Sequence, residues 1–355
     1  MYLTPEPTGR QSKRALMHRT CTTLLFLLII LIPPTVSAEE IVINAVGDIM
    51  LAGRWSPQIK KTGYDQPFRA TAPVLAAGDI TIANLESPIA GSGTEFVEKK
   101  FRFMAEPAIA KAIRNAGINL VTLANNHIMD FGPEALFETR THLKTAGIDW
   151  IGAGANLSEA RRPQIYTVKG KRIAFLGYSL TLPTEFFAGK SSPGTAPGFA
   201  RVMVEDITQA KSQADFVIVS IHWGTEGKNF VQPYQRTLAH KAVDAGADVI
   251  LGHHPHVLRG IERYNKGLIF YSLGNFVFAS KSRTAESSLI VRIRLDDLSR
   301  EAELLPLDIL HRRVGFQPRP ASAEKSEQII SHLNDLSAPL QTQILGRDGR
   351  YTVRF

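Results

Sequence analysis

Thiols are nearly missing from this sequence: Cys21 is the single cysteine in 355 residues. An internal disulfide framework and a multi-cysteine zinc site are both excluded. Lysine and arginine never gather in a run of five, so the signature of a nucleic-acid arm is absent and no nucleic-acid partner is expected. Apolar residues make up 44% of the chain and charged ones 21%. Those are the proportions of a globular protein, which excludes disordered and fibrous classes. The length suits one large domain or two smaller ones.

An apolar stretch of membrane-spanning length is also lacking near the N-terminus. The run "LLFLLIILI" (24–32) is stopped by Pro33 and Pro34, short of the ~20 residues a spanning helix needs. Arg10, Lys13, Arg14 and Arg19 precede it, and "PPTVSAEE" follows, with Val36 and Ala38 as small residues. A basic start, a short apolar core and a small-residue cleavage site read as a secretory signal over 1–38. An uncleaved membrane anchor is the alternative. Cleavage after Ala38 removes four basic residues and Glu6, taking the formal charge from +8 to +5. The expected location is secreted or periplasmic, in the cell envelope. A moderately basic surface there suits an anionic polymer or lipid headgroups.

From residue 41 onward, β-rich runs alternate with amphipathic segments. "IVINAVG" (41–47), "DITIANL" (79–85), "INLVTLA" (118–124), "IAFLGY" (173–178), "FVIVSIH" (216–222) and "VILG" (249–252) read as buried strands. Helical segments are expected at 106–117, 132–147 and 232–246. "NAGINLV", "TAGIDWI" and "DAGADVI" each place Gly where a helix ends and a strand begins. The alternation predicts a layered α/β fold with helices covering a sheet. Later, "GLIFYSLGNFVF" (267–278), "SLIVRIRL" (288–295) and "AELLPLDIL" (302–310) read as strands with few helices between them. A long loop is expected at 181–198, near the functional site. Residues 39–355 are expected to form one domain, with a core over about 41–310 and a helical C-terminal extension over about 311–355.

The polar residues that follow these strands carry the functional signal. The first strand leads into Asp48, the second into Asn84 and Glu86, and the third into Asn125, Asn126 and His127. Strand 216–221 leads into His222, and strand 249–252 into "HHPH" (253–256). In an open α/β sheet the C-terminal ends of the strands are where ligands bind. Each residue alone has a plainer role: Asp48 in a turn, Glu86 on the surface, the asparagines as helix caps. Five strand ends together favour convergence on one site. His142 and His240 fall inside helices and read as structural.

Imidazole and carboxylate together suit Zn, Mn or Fe, and one carboxylate can bridge two cations. A histidine outside the ligand set can act as an acid. In extended geometry His254 and His256 share a face while His253 points to the other, away from the metal. His254 and His256 are therefore the two expected ligands of this turn, and Asp48, Glu86, Asn126 and His222 are expected to converge with them on one pocket. Asn84, Asn125, Asn275 and Arg102 are candidate substrate contacts, and a surface ion pair is the alternative for Arg102.

Six blocks, "VGDIML" (46–51), "ANLESPI" (83–89), "TLANNHIMDFG" (122–132), "HWGTE" (222–226), "GHHPHV" (252–257) and "YSLGNFVF" (271–278), resemble in their order those of the CapA family of bacterial capsule and poly-γ-glutamate proteins. The family is related to the calcineurin-like metallophosphatases. The resemblance implies a four-layer α/β/β/α sandwich in which Asp48, Glu86, Asn126, His222, His254 and His256 hold one or two divalent ions, with Glu86 as the bridging carboxylate and His127 as the acid. It implies a role in poly-γ-glutamate metabolism. That role is either a metal-dependent hydrolase acting on an amide or phosphoester, or a non-catalytic binding or export subunit of a cell-envelope complex. Ile49 and Met50 follow Asp48 where metallophosphatases have Asp-x-His, so one ligand of the pattern is missing.

Overall fold

Alternation within single strands builds the layers. Along Phe216–His222, Phe216 and Ile218 enter one apolar cluster while Val217, Val219 and Ile221 enter another. Val249 and Leu251 divide from Ile250 in the same way. This is the two-residue period of a strand buried on both faces. The computed structural model describes residues 39–278, 285–296 and 299–355; the expected secretory segment lies outside them.

Two sheets result. The larger runs in the order Leu345–Arg347, Arg350–Arg354, Arg300–Asp308, Ser287–Leu295, Ile41–Met50, Ile80–Leu85, Leu120–Thr122, Asp149–Ile151. Its last four strands are parallel. The smaller runs Ile261–Tyr264, Gly267–Phe270, Val249–His253, Phe216–His222, Lys171–Ser179, Gln164–Val168. Its middle four are parallel and its edges antiparallel.

One apolar cluster joins Ile41, Ile43, Ile80 and Ile82 of the larger sheet to Phe175, Ile218, Val249 and Phe270 of the smaller. The outer face of the larger sheet packs Ile49, Leu85 and Val121 against Ile109, Ile113, Leu136 and Leu143 of the helices Ala108–Asn115 and Gly132–Ala146. The outer face of the smaller sheet packs Val217, Val219 and Ile250 against Met203, Ile207, Leu238 and Ala239 of Ala200–Lys211 and Pro233–Asp244. The fold is a four-layer α/β/β/α sandwich.

Two expectations need revision. "GLIFYSLGNFVF" is not one strand: Gly267–Phe270 belongs to the smaller sheet, and Asn275–Phe278 pairs with Ile41–Met50 of the larger. The chain crosses between the sheets at Gly274, whose φ is 68°. The tail 311–355 is only partly helical. After the helix Ala323–Ser337 it forms a hairpin whose second strand pairs with Arg300–Asp308, with Val353 opposite Ala302 in the inter-sheet cluster. Asp348 and Gly349, with φ of 52° and 75°, make its two-residue turn, the Asp-Gly pair such hairpins favour.

Candidate metal centre

Where the parallel strands of both sheets end, their polar residues meet. Asp48 is buried between two neighbouring strands, with Asn84 opposite it on one side and Asn275 on the other. Gly47 makes this possible, because a Cβ there would stand 1.9 Å from Gly274 O. The same carbonyl accepts Asp48 N–H at 3.0 Å. Asn84 donates to Asp48 Oδ1 at 2.9 Å and to Glu86 Oε2 at 3.3 Å. Glu86 Oε1 lies 3.5 Å from His222 Nε2 and 3.7 Å from His256 Nε2. His222 Nε2 also meets Asn126 Oδ1 at 2.8 Å.

Two sets of ligand atoms lie within 4.8 Å of one another: Glu86 with His254 and His256, and Asp48 with Glu86 and His222. Glu86 belongs to both. All these residues are buried except His256, which is partly exposed. Glu86 Oε1 and His254 Nδ1 are buried without a hydrogen-bond partner. A lone pair left so costs about 1–3 kcal/mol, and a cation shared by these atoms removes that cost. The residues fit a divalent metal.

The proton affinities follow from burial and from the density of like groups. Burial pushes Glu86 well above the ordinary carboxylate range. Asp48 moves the other way: burial raises it, but hydrogen bonds from His253 and His256 hold it well below. Burial and neighbouring histidines pull His254 down to about 3. His256 is lowered by burial, yet Glu86 and Asp48 outweigh that and raise it to about 9.

The histidine turn differs from its sequence-based reading. The strand ends at His253, and His254 and His256 take φ of 93° and 60°. Left-handed backbone at such residues is strained and marks sites held by their surroundings. Strand alternation therefore no longer applies to 254–256. It does apply to His253, which shares the inter-sheet face with Val249 and Leu251 and brings Nδ1 to 3.0 Å from Asp48 Oδ1. His253 thus points toward the centre and supports Asp48.

His127 stands beside these ligands. Its Nδ1 lies 2.7 Å from Asp130 Oδ2, and its ring packs on Phe103 at 4.9 Å. Burial lowers its pKa, partly offset by Asp130. Lys99 Nζ binds Asp130 Oδ1 at 2.6 Å, lies 3.3 Å from His127 Nδ1 and donates to Asn126 O. It also sits 5.0 Å over Phe186, which brings the 181–198 loop near the site.

The four candidate substrate contacts have partners within the protein. The Asn125 amide donates to Asn84 Oδ1 and Leu85 O, and its Oδ1 accepts from His127 N and Ile128 N. Asn275 Oδ1 meets His256 Nδ1 at 2.9 Å, which aims His256 Nε2 toward Glu86. Arg102 pairs with Glu95 at 3.0 Å, the surface ion pair named as its alternative. Asp130, Lys99 and His253 join the site although the strand-end pattern does not mark them. For Asp130 the signal was its three-residue spacing from His127; Lys99 offered none.

The family described as "Bacterial capsule synthesis protein PGA_cap" matches residues 42–280. The "Capsule biosynthesis protein CapA" of Bacillus anthracis is 35% identical over 279 residues, covering 76% of this chain and 68% of that one. The "PGA biosynthesis protein CapA" of Bacillus subtilis is 36% identical, with 78% and 73% covered. A "Probable polyglutamine synthesis accessory protein" of Mycobacterium tuberculosis is 32% identical over 329 residues, with 87% and 86% covered. Among solved structures, a 5'-nucleotidase precursor from Thermus thermophilus has a TM-score of 0.48 at 13% identity, covering 86% of this chain and 60% of that one. With a family match over 42–280 and relatives above 30% identity along most of their length, the chain belongs to the PGA_cap family of bacterial capsule synthesis proteins.

Proposed function

We propose that this protein is a metal-dependent hydrolase of the cell envelope that acts on poly-γ-glutamate in capsule metabolism. The observation that carries the reading is Glu86: a buried carboxylate with an unpartnered oxygen, common to two ligand sets, beside a histidine paired with a buried aspartate. The donors, imidazole nitrogens and carboxylate oxygens, suit Mn, Zn or Fe. Asp48, Glu86 and His222 would hold one ion, and Glu86, His254 and His256 a second, with Asn126 completing the set. Cations held there supply Lewis acidity, polarising an amide or phosphoryl oxygen and acidifying water.

The remaining chemistry belongs to the chain's own groups. Asp130 holds the His127 proton at Nδ1, which leaves Nε2 as the nitrogen that exchanges a proton with the departing group. Asn275 and His253 orient His256 and Asp48, as supporting residues do at metal sites. Asn84 and Asn125 act as supports for the ligands. An exported location is supported by the secretory pattern of 1–38. Among the described residues no helix is long and apolar enough to cross a membrane.

The test pairs elemental analysis with product release. Wild type is expected to retain a divalent metal and to shorten poly-γ-glutamate, while the Asp48→Ala, His254→Ala pair loses the metal. His127→Ala should keep the metal and lose hydrolysis. Full function in His127→Ala with metal retained would leave a non-catalytic polymer-binding subunit as the reading. Cleavage of a generic phosphodiester alone would turn the assignment to phosphoester hydrolysis.

A further inference from the structure

Arg259 is fully buried and has no carboxylate partner among the described residues. Its guanidinium donates to Lys228 O at 2.7 Å, Gln235 Oε1 at 2.7 Å and Thr225 O at 2.9 Å. Burial pulls its pKa down to about 10, a sign that the charge is held away from water at a cost. Two of its three bonds go to carbonyls of one exposed loop, 224–229. Gly224 leaves the space: a Cβ there would stand 2.5 Å from Arg259 Nη1. The loop is tied from its other side too, with Trp223 N–H donating to His253 O at 3.1 Å and Gly227 N–H to Pro255 O at 2.9 Å. It is thus fastened to the turn that carries His254 and His256.

This fastened loop presents Glu226. The side chain is exposed and has no hydrogen bond or ion pair among the described residues. Its charge reaches Glu86 and His256, raising the proton affinity of both. It is not among the atoms that meet within ligand distance. Glu226 lies between two backbone anchors, at Trp223 and Gly227, to the turn that carries His254 and His256, and is outside both ligand sets. A mobile acidic side chain on a loose loop would retreat from a like charge. One whose backbone is clamped by Arg259 and Pro255 has less room to do so.

We propose that Glu226 directs the centre to the amino end of its polymer, taking the terminal ammonium and turning away the carboxylates of the chain interior. The assignment rests on the poly-γ-glutamate reading above. A γ-linked glutamate chain carries a carboxylate on every residue and one ammonium, at its amino terminus. A fixed negative group beside the site distinguishes those two parts by attraction to one and repulsion of the other. The enzyme would then work from that end instead of cutting at random.

Calorimetric binding of a short γ-linked glutamate oligomer and its N-acetylated twin, to manganese-reconstituted wild type and Glu226→Gln, tests this. Wild type should prefer the free amine by about fivefold, the upper range for an exposed ion pair, and added salt should shrink the preference. Glu226→Gln should abolish it, bind the acetylated twin at least as well as wild type, and unfold at the wild-type temperature. Equal binding of the two oligomers by wild type, or a preference kept by the variant, overturns the role of Glu226 and leaves the polymer reading standing. If neither oligomer binds wild type that holds metal, the polymer reading fails and the role of Glu226 with it.

Discussion

Glu86→Gln alters one atom of a completely buried side chain and separates metal binding from packing. Burial pushes Glu86 well above its ordinary pKa of 4.5; His256 opposes that shift, while Asp48 and Glu226 add to it. His256 is held at about 9 because Glu86 and Asp48 outweigh its burial. In the metal-free protein the Glu86–His256 pair, together with Asp48, keeps protons that the unfolded chain has already released. A folded state that binds more protons than the unfolded one loses stability as pH rises. The loss is up to about 1.4 kcal/mol per pH unit for each proton of difference. Glutamine has no such proton, and it removes the carboxylate that raises His256. Metal-free wild type should therefore lose stability relative to Glu86→Gln between about pH 5 and about pH 8. Manganese should reverse the order, because Glu86 is the carboxylate common to both ligand sets. At about a hundredfold over Kd, a ligand of the native state adds about 2.7 kcal/mol, which wild type gains and the variant does not. Urea unfolding across that pH range, with and without manganese, measures both effects. A wild-type-to-variant difference that stays flat with pH, or a variant stabilised by metal as fully as wild type, refutes the reasoning.

Two further substitutions test the supports of the centre. At Gly47 a Cβ would stand 1.9 Å from Gly274 O and 3.2 Å from Leu273 O. These are backbone atoms with no rotamer to yield, so Gly47→Ala should cost about 2–4 kcal/mol in urea unfolding and weaken metal binding through Asp48. Gly91→Ala, whose nearest neighbour is Glu138 Oε1 at 3.4 Å, should stay within about 0.5 kcal/mol of wild type. Asn275→Ala removes the oxygen 2.9 Å from His256 Nδ1 and should weaken metal affinity by about 10–100-fold in chelator competition; wild-type affinity in this variant would deny Asn275 its orienting role.

What could be read in advance follows from how each position is determined. Asp48, Glu86, Asn126 and His222 could be listed together because each stands within a few residues of the C-terminal end of a strand whose apolar run is plain in the sequence. Parallel pairing then brings those ends to one edge, without knowledge of any contact. The hairpin at Asp348-Gly349 was legible on the same terms, by a local turn rule that the helical reading of the tail overrode.

The residues that escaped are placed by partners far away in the chain. Lys99 reaches Asn126 and Asp130 only because its loop is docked by Phe96 N–H to Asp130 O at 3.1 Å and Phe103 N–H to Asp130 Oδ2 at 2.8 Å. Arg259 is an ordinary arginine until burial removes its water and leaves it two loop carbonyls and a glutamine. His253 shows both limits at once. Alternation is a rule about extended backbone, and it was applied across 253–256 where the backbone turns left-handed at His254. The rule holds for His253, still in the strand, and fails for His254 and His256, which are not. His254 and His256 reach the ligand sets by strain that the surroundings enforce, while His253 reaches Asp48 by simple periodicity. Ligands are thus found from strand ends, but the groups that aim them emerge only from accounting for each buried polar atom and its partner.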